Sequence, residues 1–335
     1  MIKRSRAPQD VLDEVERRDK EAKRLGLWPR MIRGGDFEKR RFAGPARWVE
    51  PLGGLRVTHL TDLHVGRVTP MAVQREAMDL ANAEKPHLVA LTGDFVCHSL
   101  NYLDELTDTL KRLEAPAVAV LGNHDYWAGG DEVKAALERA GVLVLRNQNT
   151  LIELEGKPLQ IVGLDDSYTG HADLAAATRG LRPDIPILGL SHIGEEADAL
   201  WAHGAGLVLA GHTHAGQVTL AGLHELALGK LVGHRYVHGI YGSRRVMNPL
   251  SDPASPQGAL YVGAGVGAAV MPLRLGERAR REVTTFELGL APGELDEHHD
   301  DQPALPGRPP SARTRARRAA TVTKQAAKRA RKRRV

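Results

Sequence analysis

The chain has one cysteine, Cys97, and only 4% aromatic residues among its 335. A lone thiol excludes an intramolecular disulfide framework and fits a reducing compartment. Scarce aromatics argue against the stacking platforms that grip single-stranded nucleic acid. Long hydrophobic runs are also missing. The longest uncharged apolar stretch, about Ala259 to Leu273, is short, glycine-rich and broken by Pro272, so no membrane span is expected. The chain is charged from Lys3 onward and shows no apolar leader. No signal peptide is therefore expected, and the expected location is cytoplasmic, peripheral at the inner face of the membrane.

Charge is present in quantity but unevenly spread. Residues 1–45 carry a net +5, residues 46–305 a net −12, and residues 306–335 hold twelve Lys/Arg and no acid. The last stretch has too little apolar surface to offset its ordering entropy, so it is expected to be disordered. Such a tail suits an anionic membrane surface or nucleic acid, or docks on the acidic middle of its own chain. No protein partner is expected. The reading divides the chain into a charged, partly helical N-terminal extension (1–45), one domain (46–290), and an acidic linker with a Lys/Arg-rich tail (291–335). Within the extension, residues 8–25 read as a charged helix with a thin stripe of Leu12, Val15 and Leu25.

A hydrophobic content of 42% is enough to build a sizeable core, and 35 glycines suit tight turns. Short aliphatic runs recur at Leu55–Leu60, Leu88–Leu91, Ala117–Leu121, Leu159–Leu164, Ile185–Leu190, Leu207–Leu209, Leu260–Val262 and Val283–Leu288. Amphipathic stretches separate several of them. In "YLDELTDTLKRL", Leu103, Leu106, Leu110 and Leu113 share one helical face, and "DEVKAALERAG" starts at a capping Asp131 and stops at Gly141. Alternation of this kind predicts an α/β domain.

Nearly every run ends in side chains that bind metals. "VTHLTDLHVG" ends in Asp62 and His64, "LVALTGDFV" in Asp94, and "VLGNHD" in Asn123, His124 and Asp125. "ILGLSH" ends in His192, and "LVLAGHTH" in His212 and His214. Loops at the carboxyl ends of parallel strands converge on one crevice, which would bring these residues together. Imidazole and carboxylate suit Zn, Fe or Mn, and a carboxylate can bridge two such ions. Any one of these residues alone reads as a turn or a hydrogen-bonded core group. The ordered set does not. The remaining histidines, His59, His98, His171, His203, His224, His234 and His238, read as core or surface.

In order and context, the motifs resemble those of the calcineurin-like metallophosphoesterases over residues 46–290. They look most like a bacterial branch of membrane- and envelope-associated phosphodiesterases marked by "SDLH", "GNHDYW" and "GHTHGGQ". The resemblance implies a four-layer α/β/β/α sandwich holding two divalent ions, with Mn favoured. It implies Asp62, His64 and His214 on one metal, Asn123, His192 and His212 on the other, and Asp94 bridging. His124 would act on the transition state or the leaving oxygen, with Asp125 orienting its neighbour. The implied activity is hydrolysis of a phosphodiester or pyrophosphate by a metal-bridging hydroxide, on a lipid-linked or envelope-precursor substrate. A nuclease gripping its substrate with the basic tail, or a phosphomonoesterase, is the alternative.

The sequence also departs from the pattern. Cys97 stands where many relatives have a second Asp that orients the catalytic His, and Asp125 or a backbone carbonyl could substitute. Ile193-Gly194 follows His192 where a Pro-Asp pair is common, and Ala215 replaces a Gly. Arg274, in a stretch shared with the branch, reads equally as a phosphate contact or an ion-pair partner.

Overall fold

All eight aliphatic runs are strands. The structure, a computed structural model, describes residues 37–216, 234–242, 258–268 and 280–290. The helix expected over 8–25, the acidic linker, the basic tail and Arg274 lie outside the described residues.

Two six-stranded sheets face each other. The first contains β1 (Phe37–Ala43), β2 (Arg56–Leu60), β3 (Leu88–Thr92), β4 (Ala117–Val120), β5 (Leu143–Val144) and β12 (Arg281–Glu287), in the order β1-β12-β2-β3-β4-β5. The second contains β6 (Gln148–Leu154), β7 (Lys157–Gly163), β8 (Ile187–Leu190), β9 (Leu207–Ala210), β10 (Gly239–Tyr241) and β11 (Ala259–Val262), in the order β10-β11-β9-β8-β7-β6. The helices are α1 (Val49–Leu52), α2 (Met71–Ala83), α3 (Leu103–Leu110), α4 (Asn123–Ala128), α5 (Gly130–Arg139), α6 (Leu174–Ala177) and α7 (Ala197–Ala202).

Strand periodicity explains the layering, because successive side chains point to opposite faces. In β3, Leu88 and Ala90 enter the core between the sheets, while Val89 and Leu91 enter the core under α2, α3 and α5. In β9, Leu207 and Leu209 face inward, and Val208 and Ala210 pack outward with Leu200 of α7. Both faces of each central strand are therefore apolar, as expected of parallel strands covered on both sides. The result is the four-layer α/β/β/α sandwich.

β2, β3 and β4 run parallel, as do β7, β8, β9 and β11. β12 is antiparallel to β2 and parallel to β1, pairing Phe37 with Arg281 and Ala43 with Glu287. β1 lies inside the stretch read as the N-terminal extension, so the first sheet begins before residue 46. Its "FEKRRFA" hides the strand because four of its seven residues are charged, yet Phe42 is fully buried. Among the described residues, no helix is long and apolar enough to cross a membrane.

A polar cluster links the two sheets. Glu282 of β12 lies 2.6 Å from Arg40 Nε of β1 as an ion pair, without the alignment of a hydrogen bond. His238 Nε2 contacts Glu282 Oε1 at 2.7 Å, and Tyr261 of β11 and the Ala264 amide donate to Oε2 at 2.9 and 2.8 Å. Burial alone would raise this carboxyl, but His238 and Arg40 hold it at about 2. A carboxylate held low contributes stability above its unfolded pKa and loses it as pH falls toward about 2. Glu282→Ala leaves the buried Arg40 guanidinium with only the more distant Glu38, 3.7 Å away, and is expected to cost about 3 kcal/mol in denaturant unfolding. The acid limb of stability should flatten in the isosteric Glu282→Gln. An unchanged midpoint in both variants would remove the network from the account of stability.

Candidate metal centre

The carboxyl ends of β2, β3 and β4 meet those of β8 and β9 at one edge of the sandwich. Each strand stops where its next residues leave extended geometry. Asp62, His64, Asp94, His212 and His214 all sit in the left-handed region, with φ from +46° to +75°. For residues other than glycine this costs on the order of 1–3 kcal/mol each and persists only where the surroundings enforce it. Here backbone bonds do so: Asp62 N–H donates to Gly93 O at 3.0 Å, and His64 N–H to Asp94 O at 2.9 Å. Glycine is required beside them. A Cβ on Gly122 would strike Asp94 Oδ1, and one on Gly211 would strike Thr61 Oγ1 and Asp62 Oδ2.

Asp62, His64, Asp94 and His214 form one group of potential ligands, and Asp94, His192 and His212 a second, with Asp94 common to both. Within each group the ligand atoms lie within 4.8 Å of one another. His64 Nε2 and His214 Nε2 are 2.9 Å apart, and they lie 3.8 and 3.3 Å from Asp62 Oδ1. His192 Nε2 lies 3.3 Å from Asp94 Oδ2 and 3.3 Å from His212 Nδ1.

The carboxylates divide their oxygens. Asp62 Oδ2 accepts from Thr61 Oγ1 (2.8 Å) and the His212 amide (3.1 Å), while Oδ1 is buried with no hydrogen-bond partner. Asp94 Oδ1 accepts from the His124 amide at 2.8 Å, and Oδ2 faces the imidazoles of His64 and His192. Asn123 Oδ1 is likewise buried and unpartnered. Orphaned buried oxygens are costly unless something binds them, so these atoms fit a cation.

Electrostatics agree. Burial alone would raise Asp94, but His192, then His124 and His64, hold it well below the usual carboxylate range. Burial pushes His64 and His212 well below the ordinary imidazole value, which keeps them neutral and their lone pairs available. Burial opposes a charge on His192, but Asp94 overrides it and raises this imidazole to about 10. The site is thus built for positive charge beside Asp94. The His192 Nδ1 donates to Thr92 O at 2.7 Å, so Nε2 is the atom that faces Asp94 and His212, and its proton is the one a bound cation would replace.

His124 follows the same logic. Its Nδ1 donates to the Cys97 carbonyl at 2.5 Å, and its Nε2 lies 3.9 Å from Asp94 Oδ2. Of the two candidates for the missing orienting carboxylate, the backbone carbonyl of Cys97 itself contacts His124. Burial, then Asp94, pushes the Cys97 thiol up to about 12. Asp125 points elsewhere. Its Oδ1 accepts from the Phe95 and Val96 amides (2.8 and 3.2 Å), and its Oδ2 from the Gly122 amide (2.9 Å). It ties the loop after β3 to the start of α4, which fixes Asp94 against His124. Burial, then Asp94, pushes it up to about 8.

Residues 55–216 match the family model described as calcineurin-like phosphoesterase, a stretch that contains every predicted ligand. Phosphodiesterase YaeI of Escherichia coli (strain K12) is 31% identical over 242 residues, covering 70% of this chain and 82% of its own length. The chain belongs to the calcineurin-like phosphoesterase family. It is therefore a phosphoric ester hydrolase with a candidate metal centre. Other relatives of this phosphoesterase include the uncharacterized metallophosphoesterase YkuE of Bacillus subtilis (strain 168), 27% identical over 70% of this chain and 79% of its own. A transmembrane protein with metallophosphoesterase domain from Bos taurus is 27% identical over 72% of this chain and 54% of its own.

Sequence reasoning left two contacts of this centre unassigned. It offered a backbone carbonyl as a partner for His124 without naming which, because the Cys97 carbonyl carries no side-chain signal. His98 was also set aside, yet its ring lies 4.4 Å from that of His124.

Proposed function

We propose that this phosphoesterase hydrolyses phosphate diesters or pyrophosphates at a dinuclear site. The observation that carries this reading is Asp94, one carboxylate common to two ligand groups. Asp62, His64 and His214 would hold one ion, and Asn123, His192 and His212 the other. The donor set of imidazoles, carboxylates and an amide suits Mn, with Fe or Zn as alternatives. When bound, such ions would lower the pKa of a coordinated water and neutralise charge on the phosphoryl oxygens.

The chain's own residues supply the rest. His124 keeps its Nδ1 proton on the Cys97 carbonyl, so the proton that it passes to the leaving oxygen comes from Nε2. Asp125 positions the loop that carries Asp94 and does not touch the reacting atoms. The preference for diesters is supported by the likeness to the Escherichia coli phosphodiesterase. The resemblance to envelope-associated phosphodiesterases supports a lipid-linked or envelope-precursor substrate, met at the inner face of the membrane with the basic tail on anionic lipid.

The test is Mn²⁺-dependent hydrolysis of bis(p-nitrophenyl) phosphate beside p-nitrophenyl phosphate, each with a chelator control. Faster diester turnover, abolished by chelator, is the expected result. Faster monoester turnover would turn the reading to a phosphatase, and chelator-insensitive turnover would remove the metals from it.

A further inference from the structure

Four large hydrophobic side chains are exposed among the described residues: Trp127, Leu143, Leu151 and Tyr168. The two leucines lie on the edge strands β5 and β6. The two aromatics stand together at the metal centre. Trp127 is 51% exposed and its ring lies 4.8 Å from that of His124; Tyr168 is 40% exposed and lies 5.3 Å from His212. Their own rings are 6.1 Å apart at 72°, forming a right-angled corner open to solvent. His98 closes the back of it, 4.4 Å from His124 and 6.5 Å from Trp127. Exposing two large aromatic rings to water is unfavourable, and neither helps the apolar cores. Rings left bare beside a reacting centre are ready to be covered by a ligand.

We infer that Trp127 and Tyr168 form a subsite for a planar aromatic group carried on the ester next to the scissile phosphate, either an aryl group or a nucleobase. The inference rests on the phosphoesterase reading and narrows its substrate class. The composition of the corner decides against an acyl chain. Among the described residues its walls are ring systems, whereas a chain-binding groove needs exposed aliphatic side chains, and the two exposed leucines lie on edge strands. A right-angled pair offers one face for stacking and one edge for a T-shaped contact, the two arrangements that aromatic rings favour. Placement fits as well. One ring borders His124, which faces the leaving oxygen in the proposed reaction, and the other borders His212, a proposed ligand.

Calorimetric titration of the full, Mn²⁺-loaded protein tests this with inorganic phosphate, phenyl phosphate, thymidine 5′-monophosphate and octyl phosphate. Phenyl phosphate or the nucleotide is expected to bind at least about 5-fold tighter than inorganic phosphate, the lower end of one stacking contact. Trp127→Ala should bring that ratio close to one, Tyr168→Ala should lower it, and Trp127→Phe should keep most of it. A nucleotide tighter than phenyl phosphate identifies a nucleobase as the occupant; equal binding identifies any aryl group. Octyl phosphate binding tighter than both, or a ratio unchanged in Trp127→Ala, overturns the subsite. Inorganic phosphate binding as tightly as the ring compounds also overturns it, while leaving the metal centre intact. Ring-dependent binding without turnover of any phosphate diester would sink the enzymatic reading and leave the subsite standing.

Discussion

Asp94→Ala is expected to release both metals and abolish hydrolysis while the fold survives. Asp94 is the one side chain common to the two ligand groups, so its removal weakens both at once. Metal ions supply several kcal/mol of charge stabilisation in such reactions, and each 1.4 kcal/mol is a factor of ten. A loss on the order of 10³-fold or more follows. The backbone has other anchors, since the loop after β3 is also held by Asp125 through the Phe95 and Val96 amides. Circular dichroism should therefore match the parent, while elemental analysis shows fewer than half the metal ions of the parent protein. Asp94→Asn separates charge from shape, because the amide oxygen can still accept from His124 N–H. It should also lose metal. A variant that keeps its full metal content and a tenth of the activity would end the assignment of Asp94 as the shared ligand.

His124→Ala should leave the metals in place and lower turnover by about 10²–10⁴-fold, the range of an acid–base contribution. The size should depend on the leaving group. p-Nitrophenolate departs with little need of a proton, whereas an alkoxide needs one. The deficit should therefore grow as the leaving group becomes more basic. A deficit of the same size for every leaving group would make His124 a stabiliser of phosphoryl charge and not a proton donor.

Much of this was legible in the chain because the signals are local. Eight aliphatic runs became strands since each is a buried strand with both faces covered. The strands that escaped notice lack that signature. β6, "QNTLIEL", is an edge strand with exposed Leu151, and β10 has only three residues. The ligands could be read because each follows a strand directly, and parallel strands carry their ends to one edge. What could not be read is contact between residues distant in sequence. Nothing near Glu282 announces Arg40, more than 240 positions away, or His238. Nor does "GNHDYW" reveal that Asp125 turns to backbone amides while Trp127 turns to water. The role of Cys97 lies in its carbonyl, which every residue type possesses.

The register of β1 on β12 sets where the two basic ends join the domain. β12 runs against β2, so Arg281 and its partner Phe37 lie at the metal-bearing edge, whereas Glu287 and Ala43 lie at the other. Glu282 N–H bonds Gly265 O, and a Cβ on Gly265 would meet that of Asp62. Leu288 N–H instead bonds Leu55 O, at the start of β2. The polypeptide thus arrives at residue 37 beside the reaction centre and departs at residue 290 from the opposite side. Seven residues of strand, roughly 23 Å at 3.3 Å each, separate the two ports. An affinity tag or a surface tether attached after residue 290 leaves the mouth of the site open. One inserted just before residue 37 sits at its doorstep.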